Sequence, residues 1–215
     1  MKRNKLIIAT IVVLSGIIHS CIKHEIIPAP EKKADLSCHF LGTINGTPIE
    51  FTQDVNAYTC VPTQAKTILP SPSPSSATYY ADIASTSNNV SIKVALGSAN
   101  WDNGVTSVIS LASFNAFFTS NLSPANPTYQ PGALNGFAVI YKDASNNVWT
   151  SKDTSPNPQD VAFTSFVQES DGTGDYMKFN CNFNCYVYRQ VQTTPTVLWD
   201  SLKIQNAQFR GWFKR

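Results

Sequence analysis

Residues 177–188 read MKFNCNFNCYVY, and every second residue is apolar. Met177, Phe179, Cys181, Phe183, Cys185 and Val187 fall on one side, while Lys178, Asn180, Asn182, Asn184, Tyr186 and Tyr188 fall on the other. A strict period of two is the mark of a half-buried β-strand, because successive side chains point to opposite faces of a sheet. The pattern predicts a strand over Tyr176–Arg189, entered from the turn Asp171-Gly172-Thr173-Gly174. At about 3.3 Å per residue, Cys181 and Cys185 stand roughly 13 Å apart along it. A disulfide needs Cα atoms within about 7 Å, so these two cannot bond each other.

The other cysteines of the domain are Cys38 and Cys60. If all four pair, two arrangements remain: Cys38 with Cys181 and Cys60 with Cys185, or Cys38 with Cys185 and Cys60 with Cys181. Either closes a loop above 100 residues, for which chain entropy suggests roughly 4–5 kcal/mol per bridge. The alternative leaves cysteines unpaired as small core residues. A zinc site lacks the C-x2-C spacing of ribbons and fingers. The spacing also misses the C-x-x-C redox motif.

Working outward, more strand-like runs appear: Thr78–Ala84, Val90–Leu96, Val105–Phe114, Gly136–Tyr141, Val148–Thr150, Val161–Gln168 and Val197–Phe213. Leu36–Ile44 and Thr47–Phe51 flank Asn45-Gly46, the strongest short hairpin signal, since a type I′ turn needs positive φ at both central residues. Pro48 has no amide hydrogen and predicts an edge strand. In the last run Leu202 and Ile204 share one parity and Ala207, Phe209, Gly211 and Phe213 the other, so a bulge is expected near Gln205-Asn206. No run lines up apolar residues at helical spacing over three turns. About nine short strands joined by polar turns predict an all-β fold, a single antiparallel β-sandwich, immunoglobulin-like or jelly-roll-like, over residues 36–215.

The chain opens with Lys2, Arg3 and Lys5, then a mostly apolar run from Leu6 to Leu14, then small residues leading to Cys21. This is the layout of a secretory signal. Ile18, Ser20 and Cys21 resemble a bacterial lipoprotein signal, from which His19 departs. The resemblance implies removal of residues 1–20 and lipidation of Cys21, with residues 21–35 as a tether. The remaining 195 residues carry 13 Lys and Arg against 14 Asp and Glu, a net charge of −1. With no basic block left, nucleic-acid binding lacks its main driving force.

Chemistry is harder to find. His39 is the one imidazole of the domain and falls on the polar face of its strand. Glycoside hydrolysis needs two acids about 5–9.5 Å apart, a distance that sequence does not supply. Glu169, Asp171 and Asp175 surround two glycines and form a weak calcium candidate without the EF-hand order. No other metal or cofactor is expected. An exposed indole beside amides and carboxylates can stack on a sugar ring, and Asn100-Trp101-Asp102-Asn103, in an expected loop, is the leading candidate, with Trp149 second.

FLGTINGTPIEF at 40–51 and LKIQNAQFRGWFKR at 202–215, together with the signal and tether, resemble small lipoproteins of Bacteroidota. In these an ING hairpin opens a β-sandwich and a strand of the form I-x-x-x-x-F-x-G-x-F closes it, here Ile204, Phe209, Gly211 and Phe213. The resemblance implies a lipid-anchored outer-membrane protein and leaves open which face of that membrane it occupies. The expectation is a non-enzymatic binding role, with a glycan as ligand. The alternatives are an envelope-protein partner joined by strand addition along an edge such as Thr47–Phe51, and a carboxylate-dependent hydrolase.

Overall fold

The computed structural model of the chain describes residues 28–123, 127–130, 136–192 and 196–215. The signal segment, Cys21 and the first half of the tether lie outside the described residues. The chain divides into two units, Met1–Glu31 and Lys32–Arg215, and the second carries the fold.

Its strands are β1 (His39–Ile44), β2 (Thr47–Thr52), β3 (Tyr58–Thr67), β4 (Ser75–Ser85), β5 (Ser91–Trp101), β6 (Gly136–Lys142), β7 (Val148–Ser151), β8 (Asp160–Asp171), β9 (Gly174–Gln192) and β10 (Leu198–Lys214), and among the described residues one helix, α1 (Leu111–Thr119), lies between β5 and β6. They form one antiparallel sheet in the order β2-β1-β10-β9-β7-β6-β5-β4-β3. The alternating run at 177–188 lies within β9, its longest strand. On one side β9 pairs with β10 along its length. On the other it pairs with β8 as far as Asn184, then with β7 at Val187 and Tyr188.

The sheet curls into a half-barrel, an all-β architecture consistent with a β-sandwich. β2 and β3 stand at opposite ends of the strand order, yet only residues 53–57 join them. The two ends therefore approach at that corner without pairing, and the rings of Phe51 and Tyr58 stack there at 4.6 Å. Inside, Phe179 stacks on Phe213 at 4.4 Å and on Phe209 at 5.8 Å, while Tyr79 and Phe118 pack on Phe213 from the far wall. Burying aromatic rings of this size dominates the stability of a core.

Asn45 and Gly46 have φ of 50° and 81°, as a type I′ turn requires. β2, with Pro48, is a sheet edge. The ladder of β9 and β10 shifts register between Ile204 and Ala207, where Asn206 adopts a φ of 51°.

The cysteine pairing corrects the expectation. Cys38 is bonded to Cys60, with a Cα separation of 6.1 Å, and Cys181 and Cys185 are free and buried. Those two indeed do not bond each other, but neither seeks a partner: both face inward among Phe179, Phe183 and Val187. Two of the four cysteines stay unpaired, and the curl brings β3 against the entrance of β1, so that Cys60 reaches Cys38.

Two elements also differ. The expected strand at Val105–Phe114 is instead an approach to α1, whose N-cap Ser110 accepts a hydrogen bond from the Ser113 amide at 3.1 Å. Phe114, Phe117 and Phe118 recur at helical spacing and are its buried residues. β3 was not expected, because as an edge strand it buries little and contains Pro62.

Candidate functional site

Neither expected tryptophan is displayed. Trp101 is 7% exposed and Trp149 is 4% exposed. Trp101 ends β5 rather than sitting in a loop. Between Ala77 and Tyr79 the ladder of β4 and β5 shifts register, so Gly97 and Ser98 form a bulge. Val94 and Leu96 face inward before the bulge and Ala99 and Trp101 after it, although their parities differ. Of its neighbours, Asn100 is exposed, Asn103 is half-buried and Asp102 accepts a hydrogen bond from the Gly104 amide in a local turn. Trp149 points inward from β7, donates from Nε1 to Asp143 Oδ2 at 3.1 Å and carries the Arg189 guanidinium 4.6 Å from its ring centroid.

Glu169, Asp171 and Asp175 are each held by donors of the protein. Glu169 pairs with Lys178 at 2.5 Å, Asp175 with Arg215 at 2.5 Å, and Asp171 accepts from the Thr173 hydroxyl and amide and from the Ala34 amide. Among the described residues no three His, Cys, Asp or Glu cluster as metal ligands. His39, which does face outward, contacts Glu50 Oε1 at 3.0 Å from Nε2 and holds that carboxyl below its ordinary value.

What the fold does display is the outer face of the hairpin β9–β10. Asn180, Asn182, Asn184, Tyr186, Tyr188 and Gln190 point outward from β9. Across the ladder lie Arg210, Gln208, Lys203, Ser201 and Trp199 of β10, opposite Asn180, Asn182, Tyr186, Tyr188 and Gln190 respectively. Trp199 is 50% exposed. Lys152, from the loop after β7, lies over the rings of both Trp199 and Tyr188, the latter at 5.0 Å. Partial burial there lowers the pKa of Lys152. Tyr188 is fixed further by Ser155 Oγ at 2.8 Å. Tyr188 is thus held from two sides, while Trp199 lies against Lys152 alone among the described residues.

Toward the other end the face dips into a groove of about 580 Å³, lined by His39, Thr164, Asn180, Asn182, Gln208 and Arg210. Bulges flank it, at Thr164 on β8 and at Gln205-Asn206 on β10, where β10 has one residue more than β1 between Leu41 and Thr43. Such bulges bend strands, which accounts for a concavity on an outward face. Asn180 donates to Ser165 Oγ at 2.8 Å, and Asn184 donates to Asp160 and accepts from the Asn206 amide. The side chains of Asn182, Gln208 and Arg210 have no partner among the described residues, so their amide and guanidinium groups are available to a ligand.

Compared with family models, curated proteins and solved structures, the chain matches none.

The alternation at 177–188 already separated the outward asparagines and tyrosines from the core. Trp199 was missed, although it shares parity with Ser201 and Lys203 and opposes that of Leu202 and Ile204. That parity was the available signal.

Proposed function

We propose that the protein is a lipid-anchored component of the bacterial outer membrane that binds a glycan along the outer face of β9–β10, without catalysis. One observation carries the reading: outward amides and aromatic rings continue in a single file from the groove to Trp199. Asparagine is disfavoured in strands, so three of them in alternate outward positions are not explained by strand propensity. Of the three, Asn184 has a structural use at the bulge, while Asn182 has none. Flat rings that stack on sugars, beside amides that bond hydroxyls, supply both halves of carbohydrate recognition.

The anchor fits this placement. Ala34 and Asp35, at the end of the tether, bond Asp171 and Glu169 beside the β8–β9 turn. β9 runs from that turn for 19 residues, roughly 60 Å at the strand rise, so Trp199 lies near the pole away from the tether.

Native affinity electrophoresis of the full chain in neutral detergent, against a panel of polysaccharides, tests the reading. Retardation by a glycan that is lost in Trp199→Ala or Asn182→Ala supports it. Retardation by none contradicts it. The reading as a partner-binding module retains one supporting feature, the open edge of β2, and predicts capture of an envelope protein that is lost on substitution in Thr47–Phe51 rather than at Trp199.

A further inference from the structure

We infer that the ligand of this face is an acidic polysaccharide, a chain carrying carboxylate or sulfate groups, an inference that rests on the glycan reading above. The outward positions of β9 and β10 hold Lys178, Lys203, Arg210 and Lys214 and no carboxylate. Lys178 is neutralised from β8 by Glu169. Lys203, Arg210 and Lys214 have no ion pair among the described residues. The carboxylates nearest the face are Glu50, which bonds His39, Asp160, which accepts two hydrogen bonds from Asn184, and Asp35, which lines a second hollow with Lys178 and Arg210 but forms no ion pair with either among the described residues. A domain with slightly more acids than bases thus gathers unpaired cations on the same face that holds the free amides and Trp199.

Their spacing selects a polymer. Arg210 and Lys214 are four residues apart, roughly 13 Å, and Lys203 stands roughly 20 Å beyond Arg210 across the bulge. A single small anion meets one of them, whereas a charged chain lying along the file meets all three. Arg210, at the groove, is the member that can grip a carboxylate or sulfate with two parallel N–H donors. Exposed charges of this kind are screened within about 10 Å at 0.1 M salt, so the attraction must weaken with ionic strength.

Isothermal titration of the full chain in neutral detergent provides the test, with polygalacturonate, dextran sulfate, uncharged dextran and galactomannan, monomeric galacturonate and single-stranded DNA as probes. The expected result is binding of polygalacturonate or dextran sulfate, the better of the two identifying the acidic group. The expected binding weakens at least tenfold between 50 and 500 mM salt, is absent for the monomer, and drops about tenfold in Arg210→Gln, as for one lost charged hydrogen bond. Lys203→Gln/Lys214→Gln, with an unchanged melting temperature, gives a second reading of the same loss. Binding of a neutral polysaccharide alone overturns the inference and leaves the glycan reading standing. Binding of no polysaccharide overturns both. DNA binding as tight as that of the acidic glycans also overturns the inference, because it reveals attraction to any polyanion.

Discussion

Cys60 on β3 is bonded to Cys38 at the entrance of β1, so a single covalent link ties together the two ends of the curled sheet. The residues lie 22 apart in sequence, and closing a loop of that size stabilises a fold by about 3 kcal/mol. Cys38→Ala/Cys60→Ala is expected to lose about that much in chemical denaturation. A loss near zero contradicts the staple. In a non-reducing peptide map the fragments holding Cys38 and Cys60 should run together, and those holding Cys181 and Cys185 should carry free thiols.

The free thiols supply a second prediction. Burial pushes Cys185 up to about 12 and Cys181 higher still, so neither forms a thiolate in the native fold near neutral pH. A thiol reagent at pH 8 should leave both untouched until denaturant is added. On unfolding, both thiols ionise at their ordinary value of 9.0, so this contribution to stability falls as pH rises above 9. Rapid labelling of the native protein contradicts their burial.

Phe179 is the ring on which the aromatic core turns, 2% exposed and stacked on both Phe209 and Phe213. Phe179→Ala should cost about 3–5 kcal/mol, read from the denaturation midpoint. Gly211 stands beside it, where an added Cβ meets Phe209 Cε1 at 2.7 Å. Gly211→Val should therefore destabilise the fold although it adds apolar surface, and a stabilised variant contradicts the packing described.

Asp171 reports on the tether. Its hydrogen bonds from the Thr173 hydroxyl, from the Ala34 amide and from the Thr173 amide hold the carboxyl at about 2, below the ordinary 3.8. The bond to Ala34 should be fully present above 3.8 and lost as pH falls through about 2. A carbon-detected titration of the carboxyl checks this, and an ordinary midpoint contradicts these hydrogen bonds as a set.

Trp199 is half exposed, whereas Trp101 and Trp149 are buried and Trp212 packs edge-on against Tyr176 at 5.2 Å. Iodide should quench mainly one tryptophan, and Trp199→Phe should remove most of the quenchable emission. Unchanged quenching in that variant contradicts the exposure assigned to Trp199.

The strands that carry the site were legible because one of their faces is buried and the other is wet, as the residues from Met177 to Tyr188 show. The Asn45-Gly46 turn and the bulge at Gln205-Asn206 were legible for similar local reasons. What escaped was set by long-range geometry. Trp101 turned inward because a bulge at Gly97-Ser98 inverted its parity, and Gly97 inside the strand was the one local signal of it. Cys38 reached Cys60 because the sheet curls, which depends on the whole strand order. α1 hid behind Val105–Ile109, whose apolar residues suggested a strand, although Ser110 and the phenylalanines at helical spacing mark its start.

A glycan bound as proposed lies along the outer face of β9–β10. The most direct measurement is an amide chemical-shift map of the isotope-labelled full chain, titrated with the polysaccharide that retards it most. Asn180, Asn182, Tyr186, Tyr188, Gln190, Trp199, Ser201 and Arg210 should shift together and saturate with one dissociation constant. Shifts confined to the edges β2 and β3, or none with any polysaccharide, would contradict that placement.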